Sequence, residues 1–113
     1  MEKEEIEKNK AHVIVQIVDY IPDAVLSKTI IKRATGNVTV SSLDAGEELE
    51  EKASAFDNYI QIIDGSAEVI IGNKKISLKL GEGILIPANS KHSFNANVKF
   101  KMISTIIKNG YED

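Results

Sequence analysis

Few side chains in this chain are equipped for chemistry. It has two histidines, His12 and His92, and neither cysteine nor tryptophan. Without a thiol, disulfides, thiolate metal sites and cysteine nucleophiles are excluded together. Ser54 and Ser93 are the serines to weigh beside His92 as nucleophiles. The pattern supplies no carboxylate placed to orient the imidazole, which a hydrolytic triad needs. Glu47, Glu48, Glu50 and Glu51 form the densest acidic run, and a run of that kind usually reads as a solvated loop. His12, alone beside an apolar stretch, reads as exposed or capped. The residues offer no complete catalytic constellation, so the reading leans toward a non-enzymatic protein.

Composition narrows the partners. A net charge of −3 over 113 residues leaves no basic footprint for nucleic acid. No apolar run approaches the roughly 20 residues of a membrane-spanning helix. Residues 1–5 are acidic and lack the apolar core of a secretory signal, and the absence of cysteine suits a reducing compartment. The expected location is the cytoplasm.

The elements that would carry these side chains are short and β-branched. Residues 2–10 are charged helix formers around a lone Ile6, which predicts a frayed helical turn or mobile arm. Strands are predicted over 13–18, 25–33, 38–43, 59–63, 68–71, 74–78, 84–86, 93–97 and 99–107. They recur about every ten residues, with turn-forming residues between them and no long amphipathic helix. Gly72-Asn73 has the composition of a two-residue hairpin turn. This pattern belongs to an all-β antiparallel sandwich or barrel rather than to α/β alternation. The chain divides into an arm (1–12), one β-domain (13–108) and a tail (109–113). Alternation sends Lys52 and Ser54 to one face of a strand, Asn58, Ile60 and Ile62 to one face of the next, and His92, Phe94 and Ala96 to one face of a third.

The turn residues fall in a recognisable register. Gly46 is followed six positions on by Lys52, then by Ser54, Asn58 and Gly65; Gly81 leads to Pro87, Asn89, His92 and Ala96. These intervals resemble the two signature motifs of the cupin superfamily, over residues 36–107. Gly46, Gly65, Gly81, Pro87 and His92 agree in both type and position. Leu-Asp-Ala-Gly-Glu-Glu-Leu and Ile-Pro-Ala-Asn-Ser-Lys-His-Ser are similar to stretches of the small, single-domain, type-2 (RmlC-like) cupins. The resemblance implies a double-sheet, jelly-roll β-barrel and frequent dimerisation.

It also implies where a metal would sit. Metal-binding cupins use two histidines and a glutamate from the first motif and a histidine from the second. At those positions this chain has Lys52, Ser54, Asn58 and His92. One imidazole, two neutral oxygens and an ammonium make a poor divalent site. The expectation is therefore no metal and no cofactor, with a divalent ion at His92 the less favoured alternative. The faces that the resemblance turns inward suggest a pocket formed by Lys52, Ser54, Asn58 and His92, lined by Ile60, Ile62, Phe94 and Met102. Lys52 beside His92 would favour a small polar or anionic ligand. The expectation placed ahead of that pocket is an interior simply filled by side chains, with Lys52 extended to the barrel mouth.

Three functional readings follow from this. The favoured one is a small-ligand-binding module without a standard metal centre. The others are a metal-dependent cupin enzyme (dioxygenase, isomerase or lyase) with an unusual ligand set around His92, and an inert barrel used for protein–protein interaction. The apolar strand 25–31 suggests a homodimer in which its edge pairs with a second copy.

Overall fold

A computed structural model describes residues 5–51 and 53–110. After a short 3-10 turn, Ile14–Gln16, come nine strands: β1 (Val25–Arg33), β2 (Gly36–Leu43), β3 (Glu48–Glu51), β4 (Asn58–Asp64), β5 (Ala67–Ile71), β6 (Lys74–Leu78), β7 (Gly83–Ile86), β8 (His92–Asn95) and β9 (Phe100–Ile107). They form two antiparallel sheets, ordered β1-β2-β9-β4-β7 and β3-β8-β5-β6. The all-β double-sheet barrel expected from the turn spacing is the architecture observed.

Alternation along these strands builds the core. Leu43, Ile60, Ile62, Val69, Phe94 and Phe100 have no exposed surface, and Ile86 and Met102 are almost as buried. One face of each sheet supplies these side chains, and packing the two faces together removes them from water. Ser27 and Ser41, opposite each other on β1 and β2, share a hydroxyl–hydroxyl hydrogen bond of 2.8 Å. The β5–β6 hairpin turns at Gly72-Asn73. Gly72 has φ of 59° and Asn73 keeps a negative φ, as in a primed turn with glycine at its first central position.

Three expectations need correction. Residues 13–18 do not form a strand; they lie across the outer face of the five-stranded sheet. Their backbone is engaged there by side chains instead of a ladder. Lys101 Nζ donates to the Val15 carbonyl at 2.5 Å, and Ser42 Oγ donates to the Asp19 carbonyl at 2.8 Å. The Tyr20 hydroxyl donates to Asp64 at 2.6 Å, and Lys99 and Lys101 each place Nζ 4.8 Å from its ring centroid. Burial, followed by the hydrogen bond to Asp64, raises the Tyr20 hydroxyl above its ordinary pKa. The acidic run is not a loop, because Glu48–Glu51 is the edge strand β3. Charge on an edge strand discourages pairing with another chain. Residues 5–10 form turns rather than a helical turn; residues 1–4 lie outside the described residues.

The arm docks on β1. The Ile6 N–H donates to the Ile30 carbonyl at 3.3 Å, and Glu5 accepts from the Lys32 N–H at 2.9 Å and from Arg33 Nη1 at 2.7 Å. The Lys32 amide and the Arg33 guanidinium together hold the Glu5 carboxyl below its usual pKa.

Two signature glycines differ in what they require. Gly65 has φ of 68°, and a Cβ there would overlap the Lys99 carbonyl oxygen. Gly81 has φ of 86° with open space around it. Gly81→Ala should therefore cost only the left-handed penalty, about 1–2 kcal/mol. Gly65→Ala should cost clearly more, because backbone must also move. Urea denaturation of both variants checks the order, and equal losses would contradict it.

Candidate functional site

Strand β8 runs between β3 and β5, and its register sets the neighbours of His92. Glu51 on β3 and Ile71 on β5 lie opposite His92; Glu50 and Ile70 lie opposite Ser93. Phe94, two residues on, has no exposure. Period-two alternation therefore turns His92 to the same inner face. The two rings meet edge to face, with centroids 5.5 Å apart and an interplanar angle of 88°.

The imidazole is held from one side only. Nδ1 lies 3.2 Å from the Ser90 carbonyl oxygen. A carbonyl can only accept, so Nδ1 carries a proton, and in the neutral ring Nε2 is then the acceptor. Among the described residues, Nε2 is the buried side-chain polar atom without a partner. Glu51 Oε1 approaches to 3.9 Å, beyond hydrogen-bonding distance. An unpaired buried acceptor costs about 1–3 kcal/mol, so a missing donor is the feature of interest here.

Glu51 and His92 belong to the wall of a cleft of about 490 Å³, completed by Glu50, Ile70, Gly72, Lys91 and Ser93. That volume falls within the range of small-molecule sites. The cleft shares only His92 with the pocket expected from the sequence. Ile60, Ile62 and Phe94 have no exposure and Met102 has 1%; they belong to the packed core. Asn58, the first residue of β4, is buried, and its Oδ1 accepts from Ser104 Oγ at 2.7 Å. Ser54 is not on a strand face, because β3 ends at Glu51. Its Oγ accepts from the Phe56 N–H at 3.0 Å and its carbonyl from the Asn89 N–H at 2.5 Å. Lys52 lies outside the described residues. His12 is remote from the cleft in its bonding, with Nε2 at 2.9 Å from the Glu7 carbonyl.

These contacts decide how well a metal fits. Of the described positions that ligate metal in related barrels, Ser54 and Asn58 already accept internal hydrogen bonds, and the His92 Nε2 lacks a partner. Among the described residues, no group of three or more His, Asp or Glu side chains is arranged to hold a metal ion. The donor set does not fit a tight divalent site. It does not fit a serine hydrolase either, since the His92 hydrogen bond goes to the Ser90 carbonyl and not to a carboxylate.

Glu51 was hidden inside the acidic run. Reading 48–51 as a strand would have put Leu49 and Glu51 on one face and Glu48 and Glu50 on the other. Leu49 is the apolar residue of the four, so its face is the inner one. It lies opposite Phe94 and packs against the core, which carries Glu51 to the side of His92.

Comparison with known proteins places this geometry among its relatives. The family model described as "Ethanolamine utilisation protein EutQ" matches residues 24–109. A conserved protein of unknown function from Streptococcus pyogenes has 31% identity and a TM-score of 0.87, covering 94% of this chain and 93% of that one. A cupin superfamily protein from Desulfitobacterium hafniense has 20% identity and a TM-score of 0.83, over 95% and 97%. The EutQ protein of Clostridium difficile has 22% identity and a TM-score of 0.67, over 77% and 70%. No curated protein matches the chain.

The Asn58–Ser104 bond should matter for stability. Ser104→Ala strands a buried amide oxygen and should lower unfolding free energy by about 1–3 kcal/mol. Chemical denaturation checks this; an unchanged midpoint would mean that water replaces the hydroxyl without loss.

Proposed function

The chain belongs to the EutQ family of cupin barrels, and from that premise we propose that it is a non-enzymatic, small-ligand-binding module without a standard metal centre. The observation that carries this reading is His92 Nε2, a buried ring nitrogen without a hydrogen-bond partner at the position where metal-binding cupins keep a ligand. The neighbouring positions where metal-binding cupins place ligands have their oxygens occupied by Ser104 and Phe56 instead. A scaffold that keeps its core and turns while its ligand positions take internal hydrogen bonds suits binding better than metal chemistry.

A metal-dependent enzyme with a non-standard set around His92 is the alternative, and metal content separates the two. Protein purified without chelators should carry well under one metal ion per chain by elemental analysis. Its melting temperature should rise with at least one compound in a panel of small amines, polyols, sugars and carboxylates. One tightly held ion per chain would reject this reading.

We also propose a homodimer. The arm takes part of the β1 edge through Ile6 and Ile30, so the outer face of the five-stranded sheet is the better surface. Ile31, Val38, Thr105, Tyr59 and Leu85 form one cross-strand row over all five strands. Ile31, Tyr59 and Leu85 are exposed. A flat apolar row can face its own copy across a two-fold axis with no second chemistry. Light scattering should give twice the 12.4 kDa chain mass, and Leu85→Lys should halve it. A monomer at high concentration would contradict the dimer.

A further inference from the structure

We propose that Asn109 is a site of self-modification, at which the backbone nitrogen of Gly110 attacks the Asn109 side-chain amide and converts the residue to aspartate and isoaspartate.

The attack needs a nucleophile beside Asn109 Cγ, room for a five-membered ring, and access for water. All three are met just after β9. The Gly110 N–H donates to Asn109 Oδ1 at 2.9 Å, which keeps the backbone nitrogen against the side-chain amide. Reacting groups held in this way need little further ordering. Gly110 has no Cβ to obstruct the ring; the space around it is open, and both residues are exposed. The other asparagines lack this combination. Asn9, Asn37, Asn58, Asn73, Asn89, Asn95 and Asn97 are each followed by a residue with a Cβ. Asn37, Asn58 and Asn95 also lie within β2, β4 and β8, and the Asn89 N–H donates to the Ser54 carbonyl.

Asp64-Gly65 shows what the fold contributes. An aspartate before glycine can close the same ring with loss of water. Here Asp64 Oδ2 accepts from the Tyr20 hydroxyl at 2.6 Å, and Gly65 lies against the Lys99 carbonyl and Phe100. Both partners are held apart from the reaction. The structure locks one such pair and leaves the other open.

The step balances with water alone. Hydroxide takes the Gly110 amide proton, the nitrogen bonds to Asn109 Cγ, and the Cγ–Nδ2 bond breaks to release ammonia. Water then opens the cyclic imide. Cleavage at the side-chain carbonyl gives aspartate; cleavage at the backbone carbonyl gives isoaspartate, with the main chain rerouted through Cγ. Either product adds a negative charge beside Lys108. The Lys108 N–H donates to the Thr35 carbonyl at 2.8 Å, ahead of the reacting residue, so the barrel should keep its melting temperature.

The test is peptide mapping by mass spectrometry of the full chain, held in warm, mildly alkaline buffer. The peptide containing Asn109 should show replacement of NH2 by OH and split into two isomers. A more acidic band should grow in parallel on isoelectric focusing. Peptides containing Asn58, Asn73 and Asn89 should stay unchanged over the same interval. Gly110→Ala should slow the conversion about tenfold or more, because the added Cβ disturbs the placement of the nitrogen. An unconverted Asn109 would overturn the proposal, and so would a Gly110→Ala variant that reacts at the parental rate. Equal conversion at Asn73 or Asn89, or isoaspartate at Asp64 as fast as at Asn109, would overturn the selection of this site by the fold.

Discussion

Phe94 cannot leave the core, and most of what surrounds the cleft depends on that. It sits on β8, the strand that joins β3 to β5, and it has no exposed surface. Its burial fixes which face of β8 turns inward. That in turn commits His92, two residues earlier, to the interior side of the sheet, whatever partners it finds there. A one-residue slip would put Ser93 and Asn95 into the core and His92 into water. The hydrophobic contribution of a buried phenylalanine, about 1.5–3 kcal/mol, offsets the cost of one unpaired imidazole nitrogen. The fold can therefore hold an unpaired ring nitrogen in its interior as a consequence of packing.

The outer face of the five-stranded sheet is covered in a different way. Lys101 and Ser42 point away from the core, yet both are buried because residues 13–20 lie over them. The Tyr20–Asp64 bond and the two lysines against the Tyr20 ring fasten the end of that segment. The arm continues the cover along the β1 edge through Glu5 and Ile6. What stays open is the row from Ile31 to Leu85. One face of the sheet is thus divided between the chain's own N-terminal segment and a surface suited to a second copy.

Much of this was legible before any coordinates. The β-branched runs at 25–33, 74–78 and 84–86 became strands with nearly the same limits, and the glycine register of the cupin motifs held at Gly46, Gly65 and Gly81. Two segments were misread for physical reasons. Residues 13–18 have strong β propensity, but propensity supplies no partner strand, and side chains on the sheet's outer face bond to this segment instead. Glu48–Glu51 has poor β propensity, yet its backbone pairs with β8 and its charges suit an edge. Missing that strand concealed Glu51. The polar interior was readable in type but not in bonding. Asn58 and Ser54 looked like open ligand positions, and only the structure reveals Ser104 and the Phe56 amide as their partners.

The account of the site turns on one atom, His92 Nε2, being an unprotonated acceptor without a donor. With only two histidines in the chain, nitrogen-15 NMR of the imidazoles can observe it directly. The expected result is a proton on His92 Nδ1 and a pyridine-like Nε2 resonance. A proton found on Nε2, or a resonance that moves fully with one equivalent of zinc, would contradict it.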